Sequence, residues 1–259
     1  MEFLDIIKTR KSVRTFDGRQ LSDYDKTKLT VFIENTANPY GIPVDFVFLD
    51  KKEHRLSSPV ISGETEYVAL KVPKTPHCEE ALGFSFEKFV LYAWSLGIGT
   101  TWIGGTMNRK LFEKAADTKE YEIMPIVSPL GYPSKTLSWI DKQLRKHVHG
   151  NDRLSADVLF FENDFSTPLK KISDSLEAVR FAPSAVNNQP WRVVKDGSRY
   201  HFYEKHMKSY NPNSPWDIQK IDMGIALYHF IAISGGNLEI SDPCVKTDSD
   251  IEYIATVNV

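Results

Sequence analysis

The chain has 259 residues, 41% of them hydrophobic and 12% aromatic, enough to bury one large core or two smaller ones. A formal net charge of −2 removes the electrostatic case for a nucleic-acid partner. Cys78 and Cys244 show no C-x-x-C spacing, which argues against a disulfide framework or a cysteine zinc site. The start, Met1-Glu2-Phe3-Leu4-Asp5, is acidic where a secretory signal would be basic. The most apolar helical run, residues 84–96, carries Glu87 and Lys88 and is too short to span a bilayer. The expectation is a cytoplasmic protein with no membrane partner.

Residues 6–10 end a short N-terminal helix and run into the basic cluster Arg10-Lys11-Ser12-Val13-Arg14. Ser22 followed by Asp25 predicts an N-cap ahead of a helix over residues 26–35. Asn38-Pro39-Tyr40-Gly41 reads as a turn, and residues 44–49 (VDFVFL) and 67–72 as strands. A helix over residues 82–96 stops at Gly97, and residues 99–105 (GTTWIGG) form a loop of small residues around Trp102. Phe84, Phe86, Phe89 and Trp94 on that helix fall near helical spacing and read as core. A short helix over 110–116 and a strand over 123–129 lead to the stop Gly131-Tyr132-Pro133. Residues 139–149 read as a charged connector. Its His147 and His149 have no third metal ligand nearby and read as part of a solvated turn.

Beyond the connector the pattern recurs. A helix over 169–181 precedes a strand over 191–194, with Pro190 placed as Pro43 is before the first strand. A strand over 200–203 and a helix over 223–234 ending at Gly235-Gly236 follow. The last strand, residues 251–257 (IEYIATV), echoes residues 121–127 (YEIMPIV). Two rounds of helix, loop, strand, strand, helix, strand predict an α+β fold made by internal duplication. Antiparallel or mixed sheets flanked by helices are expected, divided into 1–150 and 151–259.

Residues 182–191, APSAVNNQPW, can be neither regular helix nor strand. Pro190 fixes its own φ, removes a donor and pushes Gln189 toward an extended conformation. Ser184, Asn187, Asn188 and Gln189 put polar side chains on one turn between a helix and a strand. Such a loop suits a planar polar ligand, and it equally suits an ordinary helix-to-strand connection. The basic cluster likewise reads either as an anion site or as a solvated turn. The two halves differ in these parts. The first has RKSVR and WIGG but a depleted loop, NTANPYGIP over 35–43. The second has the polar loop, while SADVLF over 155–160 contains no cation.

RKSVR, GIGTTWIGG, LGYP and APSAVNNQPW, in that order, resemble the FMN-dependent nitroreductase family over nearly the whole chain. Ordinary members are homodimers with FMN at the subunit interface, and this chain resembles a tandem branch in which one polypeptide forms a pseudo-dimer. The resemblance implies that Arg10 and Arg14 meet the flavin phosphate and polar edge, that Lys11 stands beside them, and that Ser12 bonds the phosphate or ribityl chain. It implies backbone approach to the ring at Gly104 and Gly105. Pro183, Ser184 and Asn187 match flavin contacts, and Ala185 stands where some relatives have Ser. Arg145 or Lys146 would supply a late basic residue. No side chain is implied as a catalytic nucleophile, and no metal.

The implied activity is an FMN-dependent NAD(P)H oxidoreductase with a ping-pong cycle, hydride passing through flavin N5 to a small organic acceptor. Residues 51–66 and 205–216 would cover the acceptor. Two other readings stand beside it: a flavin-binding sensor or store without turnover, and another flavin reaction such as reductive dehalogenation. One FMN per chain is expected, with no homo-oligomer required.

Overall fold

Ser22 caps a helix as its sequence predicts, its hydroxyl accepting from Asp25 N at 3.1 Å. The computed structural model describes residues 2–148, 152–208, 211 and 213–259. It forms two compact units that interleave along the chain. The amino-terminal unit comprises Thr9–Cys78 and the stretch from Ser85 onward through the helix Trp139–Val148. The carboxy-terminal unit joins the chain up to Lys8, Glu79–Phe84 and everything described beyond residue 151.

In the amino-terminal unit, helix α2 (Asp23–Glu34) precedes strands β1 (Asp45–Asp50) and β2 (Glu66–Pro73). Helix α3 (Cys78–Ser95), α4 (Arg109–Ala115), β3 (Glu122–Leu130) and α5 (Trp139–Val148) follow. The sheet is antiparallel in the order β1-β2-β3, with Asp45 opposite Lys71 and Tyr67 opposite Pro129. As the central strand, β2 is buried on both faces, which is why its sequence runs apolar without alternation from Tyr67 to Leu70. One face packs Tyr67, Ala69, Met124 and Val127 with Phe112 of α4 and Ile103. Phe46 of β1 lies against Phe86 and Phe89 of α3, and both of those rings are fully buried, as core.

The carboxy-terminal unit contains α1 (Phe3–Thr9) up to Lys8, the first turns of α3, α6 (Ala156–Leu159), β4 (Phe160–Glu162) and α7 (Asp174–Phe181). Strands β5 (Trp191–Asp196) and β6 (Arg199–Lys205), helix α8 (Ile218–Ser234), β7 (Asn237–Glu239) and β8 (Ile251–Asn258) complete it. Its sheet runs β4-β5-β6-β8-β7, parallel between β4 and β5 and antiparallel elsewhere. Trp191, Phe202 and Phe230 are among its fully buried side chains. The first turns of α3 pack on α8, with Gly83 and Gly224 at the closest approach. The class is therefore α+β, with the elements in the order α2-β1-β2-α3-α4-β3 in one stretch and α7-β5-β6-α8-β7-β8 in the other.

Two expectations are corrected. Residues 139–148 form a helix where a connector is expected: Asp141 N donates to Ser138 Oγ at 3.2 Å, a helix start written in the sequence as S-x-x-D. The helix expected over 169–181 begins only at Asp174. Pro168 bridges to Phe161, and Leu169 N donates to Phe160 O at 3.0 Å, so these residues run beside β4 instead.

Candidate functional site

The basic segment follows α1 as an extended stretch tied to the GTTWIGG loop. Val13 N donates to Thr100 O at 2.8 Å, and a β-carbon at Gly99 would lie 2.7 Å from Val13 Cβ, so glycine permits the approach. Within the amino-terminal unit the structure thus brings Arg10, Lys11, Ser12 and Arg14 beside the loop that leads to Gly104 and Gly105. Gly105 is exposed and faces open space. Gly104 O and Met124 O are both bonded by the half-buried Arg109 guanidinium, which ties the loop's far end to β3.

Both arginines face buried carboxylates. Arg10 Nη2 lies 3.5 Å from Glu87 Oε1, the two side chains 8% and 0% exposed, and Trp102 Nε1 donates to Glu87 Oε2 at 3.2 Å. Arg14 Nη1 lies 3.9 Å from Asp141 Oδ1, and the Thr15 hydroxyl donates to Asp141 Oδ2 at 3.2 Å. Lys11 is exposed, its ammonium 6.0 Å from the centroid of the Trp94 ring. Neither Glu87 nor Asp141 stands out from sequence alone. Glu87 reads as an ordinary acid on an amphipathic helix, and Asp141 as part of a linker.

The polar loop belongs to the carboxy-terminal unit. It makes a short 3₁₀ turn, Ala185–Asn187, and puts three non-glycine residues at positive φ: Val186 at 47°, Asn187 at 58° and Gln189 at 51°. Such backbone costs of order 1 kcal/mol or more per residue unless its surroundings enforce it. Here the loop's own side chains do so. Ser184 Oγ accepts from Gln189 N at 2.9 Å, and Gln189 Oε1 accepts from Leu154 N at 2.9 Å. Asn187 Nδ2 donates to Asp152 O at 2.8 Å while its Oδ1 accepts from Arg153 at 3.3 Å. Gln189 is buried at 3% exposure. Gln189 is thus committed inside, and Ser184 and Asn187 brace the turn. Pro183 and Ala185 are half-buried, and Val186 is the exposed tip.

Two further residues position this loop. Arg153 stands just ahead of SADVLF and gives the second half a cation next to Asn187. Asp222 is buried on α8, and both its carboxylate oxygens lie 3.1 Å from Ala185 N. Desolvation pushes the Asp222 carboxyl well above the usual carboxylate range, with the Ala185 hydrogen bond opposing. The available signal was an isolated acid in the apolar run IDMGIALYHF. Arg145 and Lys146 lie on α5, but their side chains fall outside the described residues, as does His149.

Against an FMN, the amino-terminal set fits in residue type and only weakly in charge. Arginines, a serine and an open glycine backbone are present, yet two of the segment's three cations, Arg10 and Arg14, face buried carboxylates.

The family model described as "Putative TM nitroreductase" matches residues 2–234. No curated protein matches the chain. A "putative nitroreductase" from Thermotoga maritima is similar in fold, with 21% identity and a TM-score of 0.62 over 100% of this chain and 94% of its own. An FMN-dependent nitroreductase from Clostridium difficile R20291 has 16% identity and a TM-score of 0.44, covering 57% of this chain and 98% of its own. A "putative NADH oxidase" from Clostridium acetobutylicum has 21% identity and a TM-score of 0.44, covering 51% of this chain and 89% of its own.

Proposed function

The chain belongs to the nitroreductase family described as "Putative TM nitroreductase", and on that premise we propose that it is a cytoplasmic FMN-dependent oxidoreductase passing reducing equivalents from NAD(P)H to a small organic acceptor. The observation that carries the reading is the Val13–Thr100 backbone bond, which seats the basic segment against the glycine loop in one unit. No helix among the described residues is long and apolar enough to cross a membrane.

FMN, when bound, supplies the hydride chemistry, and the protein supplies binding and electrostatics. Arg10, Lys11, Ser12 and Arg14 are assigned to the phosphate, ribityl and polar edge, with Arg145 as a further cation. Lys11 or Arg14 would supply positive charge to stabilise the anionic reduced flavin when it is bound. Gly104 and Gly105 offer backbone without a β-carbon, and Pro183, Ser184, Ala185 and Asn187 are assigned to the ring. No residue serves as a covalent nucleophile.

We further read the chain as internally duplicated and self-sufficient, with one FMN per chain. Gly83 and Gly224 support the duplication: each faces a carbonyl of the opposite helix, Ile221 and Glu80, three positions before the partner glycine. That reciprocity is what elements related by a twofold would show. Titrating apo-protein with FMN during sedimentation tests it. Two FMN per chain, or binding only on dimerisation, would refute it.

A flavin-binding protein without turnover is the second reading, favoured by the internal commitment of Ser184, Asn187 and Gln189. Anaerobic NADH and NADPH distinguish the two. Rapid bleaching of the flavin absorbance is expected of the oxidoreductase, and a persistently oxidised spectrum would sink it.

A further inference from the structure

We propose that Glu87 and Asp141 are specificity-determining counter-ions: by holding Arg10 and Arg14 in internal ion pairs, they make the chain discriminate little between FMN and the phosphate-free flavin, riboflavin. This rests on the flavin reading above and goes beyond it, because it largely cancels the preference for phosphate that the arginines alone would confer.

The geometry is specific. Glu87 is wholly buried, and its two oxygens are divided between the Arg10 guanidinium and the Trp102 indole. Asp141 is wholly buried and is held by Arg14 and the Thr15 hydroxyl. Ser138 accepts from Asp141 N, while Ser138 N donates to Thr15 Oγ1 at 3.0 Å, so the carboxylate is braced from both sides.

The electrostatics follow. Arg10, Lys11 and Arg14 against Glu87 and Asp141 leave one positive charge among these five groups, to which Arg145, the further cation assigned above, would add a second. A phosphate monoester brings about −1.5 to −2 at neutral pH, so with both arginines paired no cationic surplus is left for it. Turning Arg10 toward phosphate would strand a buried carboxylate, a loss that largely cancels the new charge-assisted bonds. Riboflavin asks for no such exchange, since its ribityl hydroxyls need only hydrogen-bond partners such as Ser12. Lys11 is the exposed cation of the set and can give FMN a small, salt-sensitive advantage.

The test titrates apo-protein with FMN and with riboflavin by flavin fluorescence, using the native chain, Glu87→Gln and Asp141→Asn. Each substitution removes a charge and keeps an acceptor for the buried donors. The native chain is expected to bind the two flavins within about tenfold of each other, and each variant to raise the preference for FMN by a further factor of about ten or more, the order of one charge-assisted hydrogen bond. Riboflavin affinity should stay within about threefold, a control for the fold of the variants. A native preference for FMN above about tenfold overturns the inference and leaves the flavin reading standing, and so does a preference unmoved in both variants. If a variant fails to fold, the native ratio decides alone. Failure of the native chain to bind either flavin overturns both.

Discussion

Gly83 of α3 lies directly against Ile221 of α8: a β-carbon at Gly83 would sit 2.1 Å from the Ile221 carbonyl oxygen. Gly224 stands in the same relation to Glu80, again at 2.1 Å. Backbone cannot yield as a side chain tip can, so Gly83→Ala or Gly224→Ala must push the helices apart. Each should destabilise the carboxy-terminal unit by about 1–3 kcal/mol or more, read as a lowered midpoint in urea. The double variant should cost less than the sum, since helices already separated need not separate twice. Full additivity would mean that the two contacts are independent.

Glu204 of β6 predicts how stability depends on pH. It is fully buried, neither of its oxygens has a hydrogen-bond partner, and His206 Nε2 lies 3.5 Å away. Desolvation first, then Asp217, Glu252 and Glu80, push its carboxyl up to about 9, with Lys220 opposing. A folded value above the unfolded one means that the native state holds the extra proton. This contribution is therefore complete below the ordinary glutamate value of 4.5 and is lost as pH rises toward about 9. Glu204→Gln should melt close to the native chain near pH 5 and higher than it near pH 9, by about 2–4 °C for each kcal/mol recovered. A constant difference across that range would sink the assignment.

Asp222 predicts the rigidity of the polar loop. Its carboxyl accepts Ala185 N and is held toward its neutral form. Asp222→Asn keeps a neutral acceptor and should leave the loop in place. Asp222→Ala orphans the Ala185 donor, and amide exchange there should quicken about tenfold or more, the equivalent of one hydrogen bond. Equal exchange in both variants would show that other bonds hold the turn.

Arg10→Ala should fail as a simple probe of binding. Removing the guanidinium leaves Glu87 buried with Trp102 as a neutral donor. A loss of about 3–5 kcal/mol of stability is expected, as for other broken buried pairs. Pairing Arg10→Ala with Glu87→Gln should restore most of it. Thermal melts of the single and double variants check this, and an undiminished melting temperature in Arg10→Ala would contradict the burial.

The sequence by itself determined what a few neighbouring residues can encode. Ser22 capped its helix, the apolar runs became β2 and β3, and Phe86 and Phe89 became core. Helix α5 was also written locally, in Ser138 and Asp141, but its charged composition masked the start signal. The order of motifs identified the family, because spacing and residue type survive in a linear string. The partners of the charged and polar groups were decided only by tertiary structure. Nothing near Arg10 in the chain announces Glu87, and nothing in APSAVNNQPW announces Asp222 or Arg153. The physical reason is that a side chain's hydrogen-bonding capacity is local, while the group that satisfies it, and the burial that makes the pairing costly to break, are created by packing distant segments together.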